Sequence, residues 1–134
     1  VVRRQVEARA KRRCEYCGLS SLGQAATFHV DHIVPIVAGG LGTLANLALA
    51  CVNCSLRKGA RQAALDPNSR CMEPIFHPRK ELWNHHFRWS GTKIIGITPT
   101  GRATIAALGL NSHDHCYIRT FETRLGRHPP PGHV

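Results

Sequence analysis

The chain has 134 residues, with 18 Lys and Arg against 8 Asp and Glu, giving a formal net charge of +10. That length suits one domain with a modest core, and a hydrophobic fraction of 43% argues against wholesale disorder. No run approaches the roughly 20 apolar residues of a membrane span, no charged-then-apolar leader is seen, and the positive field favours a polyanionic partner.

Residues 3–13 carry Arg3, Arg4, Arg9, Lys11, Arg12 and Arg13 against Glu7 alone. Apolar Val2, Val6 and Ala10 recur at four-residue steps, which predicts a short amphipathic helix. Its polar face is either plain solvated surface or, given the one-sided charge, a set of phosphate contacts.

Two Cys-x-x-Cys pairs follow, Cys14/Cys17 and Cys51/Cys54. Each pair lets two thiolates reach one ion from a single turn, and two such turns complete a tetrahedron. The expectation is a structural zinc ion, because a closed four-cysteine shell leaves no open position for chemistry. Thiolates held this way fit a reducing, cytoplasmic setting better than disulfides do. Cys71 and Cys116 lack a paired spacing and read as ordinary buried or partly buried thiols.

Between the pairs, residues 27–33 read as a strand, 35–46 as a Gly-rich loop and 47–50 as a partner strand. A basic helix over about 52–60, with Arg57 and Lys58, completes a β–loop–β–α unit. Asp31 is the sole carboxylate between Glu15 and Asp66. A site with several bridging carboxylates therefore cannot be built from this core. One hydrated Mg²⁺-type ion on a single carboxylate can be. His32, next to Asp31, is placed to face an attacking water if the strand ends there.

Beyond the Asp66-Pro67-Asn68-Ser69 turn cluster, residues 84–89 and 93–98 suggest a hairpin across Ser90-Gly91. Thr98 or Thr100 is expected to cap a helix ending at Leu108 with Gly109 as its terminator, and Ser112 a last helix to about Leu125. Trp83, Phe87 and Trp89 read as core of this region, and the Pro129–Gly132 tail as frayed. His113-Asp114-His115-Cys116 is explained more cheaply as a helix start than as a second metal cluster.

Taken together, Cys14-x-x-Cys17, His29-Val30-Asp31-His32-Ile33-Val34-Pro35, Gly39-Gly40, Asn46-Leu47 and Cys51-Val52-Asn53-Cys54-Ser55-Leu56-Arg57-Lys58-Gly59 resemble the zinc-braced HNH endonuclease family. The resemblance covers about residues 14–60 and implies an α+β fold: a small ββα-metal core with a C-terminal β-hairpin and helices. It implies DNA phosphodiester hydrolysis with Mg²⁺ or Mn²⁺, leaving 5′-phosphate and 3′-hydroxyl ends. It also implies Asp31 as metal ligand, His32 as general base and Asn46 as the residue holding the loop and the His32 ring. The family's third ligand position falls on Ser55, a weak neutral donor, with His77 as the leading substitute and Asn53 or His29 as further ones. Arg3, Arg4, Arg12, Arg13, Arg57 and Lys58 are the expected phosphate contacts.

The expected division is a nuclease core over 1–62 and an extension over 63–134. DNA is the expected partner, and cutting both strands would need a homodimer or two successive events. Two rival readings stand: an inert zinc-ribbon nucleic-acid-binding module, with Ser55 as the mark of lost catalysis, and an adaptor that binds protein through its aromatic C-terminal segment.

Overall fold

The computed structural model describes residues 2–132. Helix α1 (Val2–Arg9) packs through Val6, which is fully buried. It ends at Arg9, just before Lys11 and Arg12 turn left-handed at φ 53° and 57°. Residues with a Cβ rarely adopt that conformation. Here Arg12 N–H donates to the Glu7 carbonyl (3.0 Å), and its own carbonyl accepts from Ser21 N–H (2.9 Å).

Strands β1 (His29–His32) and β2 (Leu47–Ala50) form an antiparallel pair in which His29 faces Ala50 and His32 faces Leu47. All four β2 residues are buried, so this strand shows no polar–apolar alternation. Its far edge is closed by the first knuckle, where Glu15 N–H donates to the Leu49 carbonyl and Leu49 N–H to Glu15 Oε2, both at 2.8 Å. Helix α2 (Val52–Lys58) follows at once, capped by Cys51 and ended at Gly59. The ββα unit expected from the sequence is present.

The next hairpin, β3 (Ala63–Leu65) with β4 (Met72–Pro74), was not anticipated beyond its turn. Fully buried Asp66 organises that turn, accepting from Asn68 N–H at 3.0 Å and from the Arg102 guanidinium at 3.0 and 2.9 Å. The Arg102 bonds hold its carboxyl well below the usual range. Cys71, at the same turn, is exposed rather than buried.

Strands β5 (Phe87–Ser90) and β6 (Lys93–Gly96) form the expected hairpin, somewhat shorter than the sequence suggested. Helix α3 (Pro99–Leu108) is capped by Thr98, whose Oγ1 accepts from Gly101 N–H (3.0 Å), and ends at left-handed Gly109. Glycine at 101 lets α3 meet the hairpin, since a Cβ there would lie 2.2 Å from the His86 carbonyl oxygen. Helix α4 (His113–Arg124) is capped by Ser112.

The extension and the ββα unit share one hydrophobic core. Trp83 packs on Phe87 and Trp89, with ring centroids 5.0 and 5.2 Å away, and its Nε1–H donates to the Tyr16 carbonyl (3.0 Å). Arg79 pairs with Glu15 in the knuckle. The tail is not frayed through Gly132: Pro130 is buried and Asn84 Nδ2 donates to the Gly132 carbonyl at 3.0 Å.

Candidate active site and zinc centre

The four cysteines of the two knuckles are buried, and their sulfurs all lie within 4.8 Å of one another. A tetrahedral Zn²⁺ with bonds of about 2.3 Å separates its sulfurs by about 3.8 Å; Cys17 and Cys51 sulfurs stand 3.8 Å apart. Within each knuckle the first sulfur faces a backbone N–H, Cys17 N to Cys14 Sγ at 3.5 Å and Cys54 N to Cys51 Sγ at 3.4 Å. Such donors favour thiolate. The four residues therefore fit a structural zinc ion. Among the described residues this is the one group of three or more His, Cys, Asp or Glu with metal-compatible spacing.

The second site is an open cleft of about 720 Å³ lined by His29, Asp31, His32 and Ser55, with Arg3 and the Pro35–Val37 turn at its edge. Strand alternation puts His29 and Asp31 on the face toward α2. Opposite them, Ser55 and Lys58 share a helix face at i and i+3. The pairs meet: His29 Nδ1 lies 2.9 Å from Ser55 Oγ, and Lys58 Nζ lies 3.1 Å from Asp31 Oδ2.

Asp31 Oδ2 also accepts from the buried Tyr16 hydroxyl at 3.1 Å. Among the described residues both bonds fall on Oδ2, and Asp31 lines the cleft. Burial pushes the Asp31 carboxyl up, opposed by the Lys58 ammonium and the Tyr16 hydroxyl. Burial, then the Asp31 charge, raises Tyr16 well above its usual range, so it remains a phenol donor.

His32 ends β1 and lines the cleft while half-exposed, with Gly42 of the long loop beside its ring. Asn46 braces that loop by backbone bonds alone. Its Oδ1 accepts from Val34 N–H (2.9 Å), and its Nδ2 donates to the Val34 and Leu41 carbonyls at 3.0 and 2.8 Å. Gly40 completes the brace, because a Cβ there would fall 1.7 Å from the Val34 carbonyl oxygen. Among the described residues Asn46 thus bonds the Val34 and Leu41 backbone, and no bond joins it to the His32 ring.

Several expected roles need correction. Lys58 is not a surface phosphate contact: it is 1% exposed, bound to Asp31 and to the His32 carbonyl (3.1 Å). His77 lies in a different cleft with Ile33 and Val34, and its Nδ1 accepts from Arg79 and Lys80 N–H, both at 3.2 Å. That use of the ring removes it from the ligand position. Asn53 likewise turns away, toward His115 and Arg57.

The arginines divide. Arg3 donates to the Phe28 carbonyl at the cleft edge, while Arg13 is spent on the Gly18 and Arg127 carbonyls at 2.9 and 2.7 Å. Arg9 similarly ties α1 to the Leu44 and Leu47 carbonyls. Arg4, Arg12 and Arg57 are exposed. His113 and Asp114 open α4 in solvent, as expected of a helix start.

Tyr16 and the inward lysine were missed. Lys58 lies four residues after Cys54, on the helix face that the zinc knuckle already turns inward, and that spacing was the available signal.

The HNH endonuclease family model matches residues 14–61, the segment that contains both knuckles, β1, the braced loop, β2 and α2. No curated protein and no solved structure matches the chain. Residues 14–61 thus match the HNH endonuclease family, and the buried four-cysteine cluster is consistent with a zinc-braced member of it.

Proposed function

We propose that this protein is a DNA endonuclease that hydrolyses phosphodiester bonds at the His29–Asp31–His32–Ser55 cleft. The observation that carries the reading is this cleft: within the HNH segment, Asp31, the one carboxylate between Glu15 and Asp66, and the half-exposed His32 open onto one groove with Arg3 at its edge.

A ring nitrogen of His32 takes the proton from the attacking water. Asp31 Oδ1 and Ser55 Oγ, or Nε2 of His29, would hold a divalent ion, and one carboxylate with waters suits the hard Mg²⁺ or Mn²⁺. The ion would supply charge neutralisation at the scissile phosphate and its departing oxygen. Lys58 fixes the Asp31 carboxylate and the His32 backbone in register, so the two side chains keep their relation when DNA enters. Arg3, Arg4, Arg12 and Arg57 are left to meet phosphates. One such core makes one cut, and cleavage of both strands would take a homodimer or two events. No helix among the described residues is long and apolar enough to cross a membrane, and DNA is the partner the charge favours.

The rival reading, an inert zinc-braced binding module, draws on Ser55 and on the lysine already paired with Asp31. Plasmid nicking decides between them. Wild type should convert supercoiled to relaxed DNA only with added Mg²⁺ or Mn²⁺. His32→Ala should lose at least about 100-fold in rate while keeping its zinc, the loss expected for removing a general base. Absence of metal-dependent nicking, or a His32→Ala rate within about tenfold of wild type, would defeat the proposal.

A further inference from the structure

The loop beside the cleft exposes three large aliphatic side chains. Ile36 is 69% exposed, Val37 87% and Leu41 66%. Ile36 and Val37 line the same cleft as Asp31 and His32. The turn that presents them is rigid: Ala38 and Gly40 N–H donate to the Pro35 carbonyl at 2.9 and 3.0 Å, and Gly39 N–H to Ile36 at 2.9 Å. Asn46 then clamps the loop base on both sides of Val34. A stiff apolar point thus stands at the lip of the cleft. In DNA the broadest apolar surface available to such a point is the face of a base pair.

Resting on the nuclease reading above, we propose that the Ile36–Val37 turn is a wedge that inserts at the base step beside the scissile phosphate. Apolar wedges of this kind partly unstack the step and kink the duplex. The wedge's occupant is DNA rather than a second protein, because Arg3 and two histidines share the cleft and the chain carries a net charge of +10. Substrate choice follows from the cost of unstacking. Steps already weakened by a mismatch, a nick or a flexible pyrimidine–purine sequence admit the wedge more cheaply and should be cut faster.

The test uses the full chain carrying His32→Ala and a duplex with 2-aminopurine at a mismatch or at a paired step. Binding should raise 2-aminopurine fluorescence, more at the mismatch. Adding Ile36→Ser and Val37→Ser should abolish that rise while the salt-dependent phosphate contribution to affinity persists. In the cleaving enzyme the same two substitutions should erase the preference for mismatched over paired substrate. Zinc content and circular dichroism establish that the variant is folded.

A fluorescence rise unchanged by the substitutions, or tight DNA binding by wild type with no rise, overturns the wedge while leaving the nuclease reading intact. A concentration-dependent dimer that the substitutions dissolve overturns it in favour of a second copy covering the lip. Wild type that neither binds nor nicks DNA defeats both readings.

Discussion

The Lys58 ammonium stands 3.1 Å from Asp31 Oδ2, with 1% and 9% of the two side chains exposed, in the wall of the proposed active cleft. Neither charge has water enough to stand alone, so each depends on the other. Lys58→Ala should destabilise the fold by about 3–5 kcal/mol, the usual cost of stranding one member of a buried ion pair. Urea unfolding of Lys58→Ala, Asp31→Asn and the double variant should give a double that is more stable than the sum of the singles predicts. Strict additivity would show that the pair is not coupled.

Cys51→Ser should unfold the core rather than slow it. Cys51 both caps α2 and supplies one of the four sulfurs. Opening a structural zinc shell forfeits much of a binding free energy on the order of 10 kcal/mol. Far-ultraviolet circular dichroism and zinc analysis check this; a folded, zinc-free variant would contradict it.

The ligand question now lies between Ser55 and His29, whose side chains already touch. If Ser55 is the ligand, Ser55→Asn supplies a carbonyl oxygen to a hard ion and should lower the metal concentration for half-maximal cleavage. If His29 is the ligand, His29→Ala should raise that requirement several-fold and Ser55→Asn should be neutral or harmful. His77→Ala should leave metal dependence unchanged. A raised requirement in His77→Ala would return that residue to the site.

Acid should destabilise the protein partly through His115. Burial, then the nearby Arg119 charge, lowers its pKa from 6.5 to about 4, and its Nδ1 faces Asn53 Nδ2 at 3.1 Å and Ser112 Oγ at 2.9 Å. The folded state thus prefers neutral imidazole. Its contribution is full above pH 6.5 and is lost as pH falls toward 4, up to about 3 kcal/mol. His115→Gln should flatten this part of the stability–pH curve relative to wild type. Parallel curves for the two proteins would remove His115 from the effect.

What was legible in the sequence was whatever depends on local chemistry. Thr98, Gly109 and Ser112 mark helix ends by side-chain or backbone requirements that act within a few residues, and the helices begin and end there. The cysteine spacings and the order of motifs located β1, β2 and α2 for the same reason. Charge was less readable. Lys58 and Arg13 look like surface cations until tertiary structure supplies Asp31 for one and, for the other, the distant Arg127 carbonyl beside the nearby Gly18 carbonyl. The β3–β4 hairpin escaped notice because Ala63–Leu65 and Met72–Pro74 are too short to show a period. The end of α1 was hidden too, since nothing in Lys11-Arg12 announces a left-handed turn.

The Asn46 clamp on Val34 separates the loop's tip from its root. Residues 36–39 lie beyond the clamp that holds the end of β1, whereas Thr43 and Leu44 are tied through their carbonyls to Asn46 and Arg9. Gly40 and Leu41 belong to the brace. The fold therefore offers a natural grafting point. On the proposed nuclease reading, exchanging residues 36–39 should alter substrate choice while leaving Asp31 and His32 in place.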